Sequence, residues 1–346
     1  MNWIAYILIL AAYVLTVIGV EGWRRLALRR QILDVPNERS SHSNPTPRGG
    51  GIIIFAVIII FLCLGTQQGG ELSELTTFLT GAILIAVVSW LDDLYSLPSF
   101  LRFGVHIAAA ILVIFGIGYF KTIELPFFSV NLEPLFGGQI ITVLWIVGLT
   151  NAYNFMDGID GIAGTQGFTA GLGWSLAGWW TGEPLIFLFG GLLAATNLGF
   201  LWHNWHPARI FMGDVGSAFL GFSFAVLPLL AMRQTENRGR WMIFGILLVW
   251  TFVFDSALTF IRRAWQGENV FAAHRSHLYQ RLVINGFRHD SVSLIYGCLS
   301  VVGIGLGLLW LRIDDQTLKS LVLLILIVIS LGLWFYVVKI ATIRKL

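Results

Sequence analysis

Residues 140–164 read IITVLWIVGLTNAYNFMDGIDGIAG: an apolar run, Ile140–Thr150, passes without a break into two asparagines, two aspartates and three glycines. Asn151, Asn154 and Asp157 recur every third residue, so on a helix they lie close to one face. Gly158, Gly161 and Gly164 then loosen the backbone where the second carboxylate, Asp160, appears. Carboxylates at the end of a membrane helix are costly unless they meet water, a metal or a partner. The stretch is therefore a polar helix end with a Gly-rich cap, or a catalytic or ion-binding site at a membrane surface. The rest of the chain decides between the two.

Composition excludes an ordinary soluble domain. Of 346 residues, 56% are hydrophobic and 12% charged, which is the balance of a multi-span membrane protein. A bilayer core takes about 20 apolar residues per helix. On that scale eleven spans are expected, at about 3–22, 50–66, 75–91, 102–120, 138–153, 162–180, 185–202, 215–232, 241–261, 291–311 and 320–340. Residues 50–66 and 138–153 are short for a span. No soluble domain, linker or repeat interrupts them, so the expectation is one all-α, polytopic domain over residues 1–346. Arginines follow the first span rather than precede it, which favours a retained helix over a cleaved signal peptide. Cys63 and Cys298 fall in apolar runs and imply no disulfide framework. The net charge of +3 gives no reason to expect nucleic-acid binding.

Arginines collect after the first span (Arg24, Arg25, Arg29, Arg30, Arg39, Arg48) and after the ninth (Arg262, Arg263, Arg275, Arg281, Arg288). With eleven spans both segments share a side, and the positive-inside rule makes that side cytoplasmic, with the N-terminus opposite and the C-terminus cytoplasmic. Five patches of unusual polarity fall on the same side. They are DVPNERSSHSNPTPRGGG (34–51), LDDLYSLP with Asp92 and Asp93, the 151–164 stretch, WHNWHPARIFMGDVGSAFLG (202–221) with Asp214, and AAHRSHLYQRL with His274 and His277. Five separate caps are a poorer account of this grouping than one site.

The residue types narrow its chemistry. Adjacent Asp92 and Asp93 repel one another, so holding both against a membrane favours a nearby cation, although a solvated helix end also accommodates them. Glycines around Asp214 permit a tight turn; they also let backbone N–H groups approach a phosphate where a helix begins. His203/His206 and His274/His277 are two H-x-x-H spacings, but their loops carry arginines and no cysteine, a poor zinc setting. Several carboxylates suit a hard ion such as Mg²⁺ better. Glu21 and Asp255 read as helix-bundle contacts and receive no role. Carboxylates, arginines and Gly-rich turns at a membrane face together point to phosphoryl chemistry on a lipid.

The five patches, in this order, resemble the polyprenyl-phosphate N-acetylhexosamine-1-phosphate transferases, a superfamily that includes the phospho-MurNAc-pentapeptide translocase and the undecaprenyl-phosphate GlcNAc-1-phosphate transferases. The aspartate pair, NxxNxxDGxDGxAG over 151–164 and FMGDxGS over 211–217 carry the resemblance, which spans about residues 34–281. The first loop looks most like the branch that starts O-antigen synthesis with a 6-deoxy-HexNAc. The resemblance implies transfer of a sugar 1-phosphate from a UDP-N-acetylamino sugar to undecaprenyl phosphate, with Mg²⁺ as cofactor and Mn²⁺ an admissible substitute. It places the enzyme in the bacterial inner membrane with its active site on cytoplasmic loops and helix ends, and admits a homodimer. Asp92, Asp93, Asp157, Asp160, His274 and His277 are then the catalytic candidates. Asn154, Asn204, Phe211, Arg275, His42 and Arg48 are the substrate-binding ones, and Asp214, Asp157 and Asp92 the metal ligands. Phe211 stands where the family stacks an aromatic on uracil.

Three positions depart from the pattern. Leu94, Tyr95 and Ser96 follow the aspartate pair where a charged residue is usual, His-Arg-Ser-His replaces a run of histidines, and Ser41 stands where a basic residue often precedes His42. These bear on sugar choice more than on reaction class, and a pentapeptide-bearing donor is not expected. A cation-coupled transporter is the alternative class; it calls for acids near span midpoints, and only Asp255 fits that. A scaffold subunit gives no reason for five aspartates to share a side.

Overall fold

Lipid offers backbone N–H and C=O groups no water, so apolar runs of this length must close their hydrogen bonds within themselves. In the computed structural model, which describes residues 3–36, 44–65, 72–234, 239–270 and 274–343, all eleven apolar segments are helices. They are α1 (Trp3–Arg30), α2 (Gly51–Gly65), α3 (Leu72–Tyr95), α4 (Ser99–Gly116), α5 (Gly137–Met156), α6 (Ile162–Thr181), α7 (Pro184–Asn204), α8 (Asp214–Gln234), α9 (Arg240–Trp265), α11 (His289–Arg312) and α12 (Gln316–Ile343), with a short α10 (Leu278–Ile284) before α11. Among the described residues nine of them are long and apolar enough to cross a membrane. The other two are α2, with 15 residues, and α6, whose 20 residues are diluted by Gly, Ser and Thr. Two small antiparallel pairs complete the chain: β1 (Leu33–Asp34) with β2 (Thr46–Pro47), and β3 (Thr122–Leu125) with β4 (Phe128–Asn131). This is an all-α polytopic membrane protein.

The core runs along α7 and α8, which are buried over most or all of their length, whereas α1 and α12 lie at the periphery. Phe78 of α3 packs on Phe189 of α7 and Phe222 of α8, with ring centroids 4.9 and 5.8 Å apart. Glycines let α6 and α7 meet backbone to backbone. A Cβ at Gly171 would stand 2.5 Å from the Ala194 nitrogen, and one at Gly190 would stand 2.3 Å from that of Ser175. Between helices in lipid, such close van der Waals contact replaces the hydrophobic drive available in water.

A buried polar knot joins three more helices. α9 bends at Val249 (φ −116°, ψ 17°), and the adjoining Leu248 carbonyl accepts the Gln166 amide at 2.8 Å. The Gln166 oxygen takes the Thr251 and Ser300 hydroxyls at 2.8 and 2.7 Å. A side chain inserted beside the helix ladder is a recognised cause of such a kink, and here it ties α6, α9 and α11 together. At the far end Glu124 of β3 binds Lys319 and Arg240, the latter at 3.3 Å. The near end gathers the C-termini of α1, α3, α5, α7 and α9 and the N-termini of α2, α4, α6, α8 and α11, and there the polar motifs meet.

The α6–α7 contact is testable. Gly171→Leu should cost about 1–3 kcal/mol through forced separation of the helices, read as a lower melting temperature of detergent-purified protein. Gly305→Ala, where a Cβ meets nothing within 4 Å, should leave it unchanged or raise it. Equal melting temperatures for the two variants would remove the close contact from the account of stability.

Candidate active site

Two loops form the frame. Phe211 N–H donates to the Pro47 carbonyl at 2.8 Å, Gly50 N–H to the Phe211 carbonyl at 3.0 Å and Gly51 N–H to the Met212 carbonyl at 2.9 Å. A Cβ at Gly51 would stand 2.3 Å from the Gly216 Cα, so the RGGG run of the first loop fits directly against the GDVG turn of the fourth. This pairing sets Asp34 and Arg48 opposite Asp214 across a cavity of about 240 Å³.

Asp93, Asp157 and Asp214 line that cavity together. They come from the ends of α3, α5 and α8, and none is close to another in sequence. The backbone N–H groups of Asp214 and Val215, at the start of α8, bond the Asp93 carboxylate, where the helix dipole favours negative charge. Arg48 Nη1 stands 3.5 Å from the same carboxylate. Asn154 donates to Asp214 at 3.0 Å and to Ser217 at 2.9 Å. Asp92 stands at the edge of this group, its carboxyl against that of Asp214; it accepts Arg102 at 2.6 Å and the Leu97 N–H at 2.7 Å, and is not in the cavity lining. Arg102 also reaches to 3.8 Å from Asp214. Burial, and then the charges of Asp214, Asp93 and Asp160, push Asp157 up to about 8. Among the described residues one arginine, Arg48, lines the cavity against four aspartates besides Asp214. Such a surplus of buried negative charge holds protons or a cation, and three hard oxygen donors suit a divalent one.

Asp160 lies apart from the trio. Its carboxylate accepts His206 Nδ1 at 2.6 Å and the Ala208 N–H at 3.1 Å, with His289 Nδ1 at 3.5 Å. Burial works against its charge, but the hydrogen bonds from His289, His206 and Ala208 outweigh it and hold Asp160 below the usual carboxylate range. The three side chains could together hold a metal ion through one oxygen and two nitrogens within 4.8 Å of one another; as they stand, Asp160 Oδ2 accepts His206 Nδ1 and the Asp160 N–H donates to His289 Nδ1 at 3.4 Å. Asn204 shapes the adjacent wall, accepting the Gly161 N–H at 3.0 Å and donating to the Ile210 carbonyl at 2.9 Å. Phe211 and His289 line the same cavity.

His274 and His277 sit elsewhere, at the polar end of a second, apolar groove of about 530 Å³ between α4, α5 and α9, walled by Phe103, Trp145, Phe155 and Phe260. Burial, and then the neighbouring His277, Arg263 and Arg262, lower His274 to about 4. Gln280, one turn on from His277, lines the acidic cavity instead. Tyr279 donates to the Phe155 carbonyl at 3.0 Å, so the two cavities share a wall. Arg275 lines neither, and His42 lies outside the described residues. Reasoning from spacing missed Arg102, His289, Asp34 and Gln280. The one available signal was Arg102, a basic residue in the first turn of the helix after the aspartate pair.

The raised Asp157 has a thermodynamic signature. A carboxyl whose folded pKa stands above its ordinary 3.8, here at about 8, stabilises the fold below 3.8 and loses that contribution as pH rises through 8. In chelator, the melting temperature should fall across this window, and Asp157→Asn should flatten the fall. A slope identical in wild type and variant would count against the charge surplus.

Comparison with known proteins agrees with this arrangement. The family described as glycosyl transferase family 4 matches residues 75–232. A Bacillus subtilis protein named "Probable undecaprenyl-phosphate N-acetylglucosaminyl 1-phosphate transferase" is 33% identical over 279 residues, covering 79% of this chain and 76% of its own. The decaprenyl-phosphate N-acetylglucosaminephosphotransferase of Mycobacterium tuberculosis is 30% identical over 86% of this chain and 80% of its own. The phospho-N-acetylmuramoyl-pentapeptide-transferase of Listeria welshimeri is 25% identical over 84% and 93%. Likeness of this extent, with Asp93, Asp157, Asp160 and Asp214 inside the family-matched residues, makes the chain a member of glycosyl transferase family 4, within the polyprenyl-phosphate N-acetylhexosamine-1-phosphate transferases.

Proposed function

We propose that the protein transfers an N-acetylhexosamine 1-phosphate from a UDP-sugar to undecaprenyl phosphate, releasing UMP, on the cytoplasmic face of a bacterial inner membrane. The observation that carries this reading is the shared wall between an acidic cavity and an apolar groove. The first suits a cation-bound diphosphate and the second a prenyl chain, so nucleotide and lipid substrates meet at their phosphates. Leu144 and Phe260, exposed on the outer surface, open the groove towards the bilayer interior, where the lipid tail resides.

Asp93, Asp157 and Asp214 would hold a divalent cation, for which Mg²⁺ is the fitting choice by ligand hardness. Bound there, it would neutralise the donor diphosphate and favour departure of UMP. Arg48 and Arg102 restrain the carboxylates and add positive charge next to the phosphates. Phe211 offers a face for the uracil, with Asn204 and the Asp160–His289 pair forming the wall around it. An acceptor phosphate oxygen attacks the sugar-bearing phosphorus; the bond from that phosphorus to the bridging oxygen breaks, and UMP leaves with that oxygen. The acidic groups lie at helix ends rather than span midpoints, which favours this reading over ion-coupled transport.

Two of the three relatives carry N-acetylglucosamine in their names and the third N-acetylmuramoyl-pentapeptide, whereas the first loop resembles the 6-deoxy branch, so the donor is settled by assay. Purified protein with undecaprenyl phosphate and Mg²⁺ should release UMP from UDP-GlcNAc or from a 6-deoxy donor such as UDP-N-acetylfucosamine or UDP-N-acetylquinovosamine. UDP-MurNAc-pentapeptide should be inert. Silence with every donor from folded protein defeats the proposal. Asp214→Asn should lower turnover by about 100-fold or more, as expected for loss of a charge-stabilising group at a phosphoryl-transfer centre. Phe211→Ala should raise the UDP-sugar KM while leaving the acceptor KM unchanged; equal effects on both would remove Phe211 from the nucleotide side.

A further inference from the structure

Asp255, which sequence reasoning treats as a bundle contact, is fully buried and surrounded by five donors. Its Oδ1 takes the Leu278 N–H at 2.8 Å, His277 Nδ1 at 3.2 Å and the Thr259 hydroxyl at 3.3 Å. Its Oδ2 takes the Tyr296 hydroxyl at 2.7 Å and the Tyr279 N–H at 3.2 Å. A buried carboxylate is tolerated when donors replace its water. These donors come from α9, from the start of α10 and from α11, so Asp255 fixes the position of α10 as well as the His277 ring.

The proton position follows. A carboxylate oxygen at hydrogen-bond distance only accepts, so Nδ1 of His277 carries hydrogen, and in the neutral ring Nε2 keeps the lone pair. His277 lines the polar end of the apolar groove. The paired aspartates do not serve that end. Asp92 is held by Arg102 and the Leu97 N–H, and Asp93 by Arg48 and the start of α8; neither lines the groove. The loop carrying His277 is itself anchored, since Arg262 donates to the Ser276 carbonyl at 2.7 Å.

We propose that His277, held by Asp255, is the group that receives the proton of the acceptor phosphate, with Asp255 as its positioning residue. This deepens the transferase reading above and rests on it. A prenyl phosphate whose tail lies in the groove presents its P–OH to Nε2. The O–H bond breaks, an Nε2–H bond forms, and the freed oxygen attacks the donor phosphorus. The resulting imidazolium is balanced by the Asp255 carboxylate beside Nδ1, the arrangement by which a buried acid supports an imidazole base.

Steady-state kinetics on the full-length protein, varying each substrate separately, tests the assignment. His277→Gln, which leaves Asp255 in place, should lower turnover by about 100-fold, the lower range for a lost general base, with the UDP-sugar KM within about twofold of wild type. Asp255→Asn should lower turnover by about tenfold or more, typical of losing the carboxylate that orients an imidazole, again sparing the UDP-sugar KM. The double variant should be no worse than His277→Gln alone, because the two act as one unit. Tyr296→Phe removes another hydrogen bond from Asp255 without touching His277, so it should lower the melting temperature and keep most of the turnover. Wild-type turnover in His277→Gln overturns the proposal whether or not Asp255→Asn folds. A Tyr296→Phe defect as large as that of Asp255→Asn overturns the positioning role and leaves Asp255 a structural anchor. If wild type itself releases no UMP, the transferase reading has failed and not this assignment alone.

Discussion

Repulsion among Asp93, Asp157 and Asp214 is the constraint around which the polar end is built. Charges of one sign, partly out of water, attract protons or drive their carriers apart unless something holds them. The restraint is spread over several helix ends. The start of α8 holds Asp93, Asn154 holds Asp214, Arg48 and Arg102 brace the edge, and the glycine contacts leave the backbones no room to spread. The bundle beneath supplies the stiffness, through the α6–α7 glycine contact and the Gln166 knot. Asp93 is shared between Arg48 and the start of α8, and Asp214 between Asn154 of α5 and Arg102 of α4, whereas Asp157 meets chiefly the charges of its neighbours.

The substrates' opposite characters explain why the two cavities differ. A diphosphate calls for charge and hard ligands, and a prenyl tail for surface that water avoids. The protein separates these demands by a thin wall at Phe155–Asp157 and His277–Gln280, so that only the reacting phosphates need share a place. Asp160 with its two histidines stands on the acidic side of that wall, and Asp255 with His277 stands on the apolar side. Each is a carboxylate backing an imidazole, and the two pairs face different chemistry.

Much of this was legible before any coordinates. Lipid leaves apolar runs little choice but helix, which is why all eleven segments and the grouping of polar patches could be read from residue type and spacing. Spacing reports neighbours along one helix; it is silent on partners from another. Arg102 with Asp92, Arg48 with Asp93 and His289 with Asp160 are separated by 10, 45 and 129 residues, and only packing brings them together. For the same reason Asp160 appeared interchangeable with Asp157, though one is tied up by imidazoles and the other is crowded by carboxylates. Asp255 was set aside because a lone acid in an apolar run has a bland explanation, and its five donors lie on elements that spacing cannot connect. The α6 segment looked like a typical span; its glycines show that it is spent on contact with α7.

The backbone pairing of the first loop with residues 211–213 has a consequence for how the two loops can be exchanged. Two segments separated by more than 150 residues of chain form a single hydrogen-bonded piece, with Gly51 against Gly216 as its hinge pin. A chimera that exchanges one segment between relatives imports a strand without its mate, and the mismatch reaches the nucleotide wall whichever half is moved. The two loops are thus one unit of structure, and either can be transplanted only when both travel together.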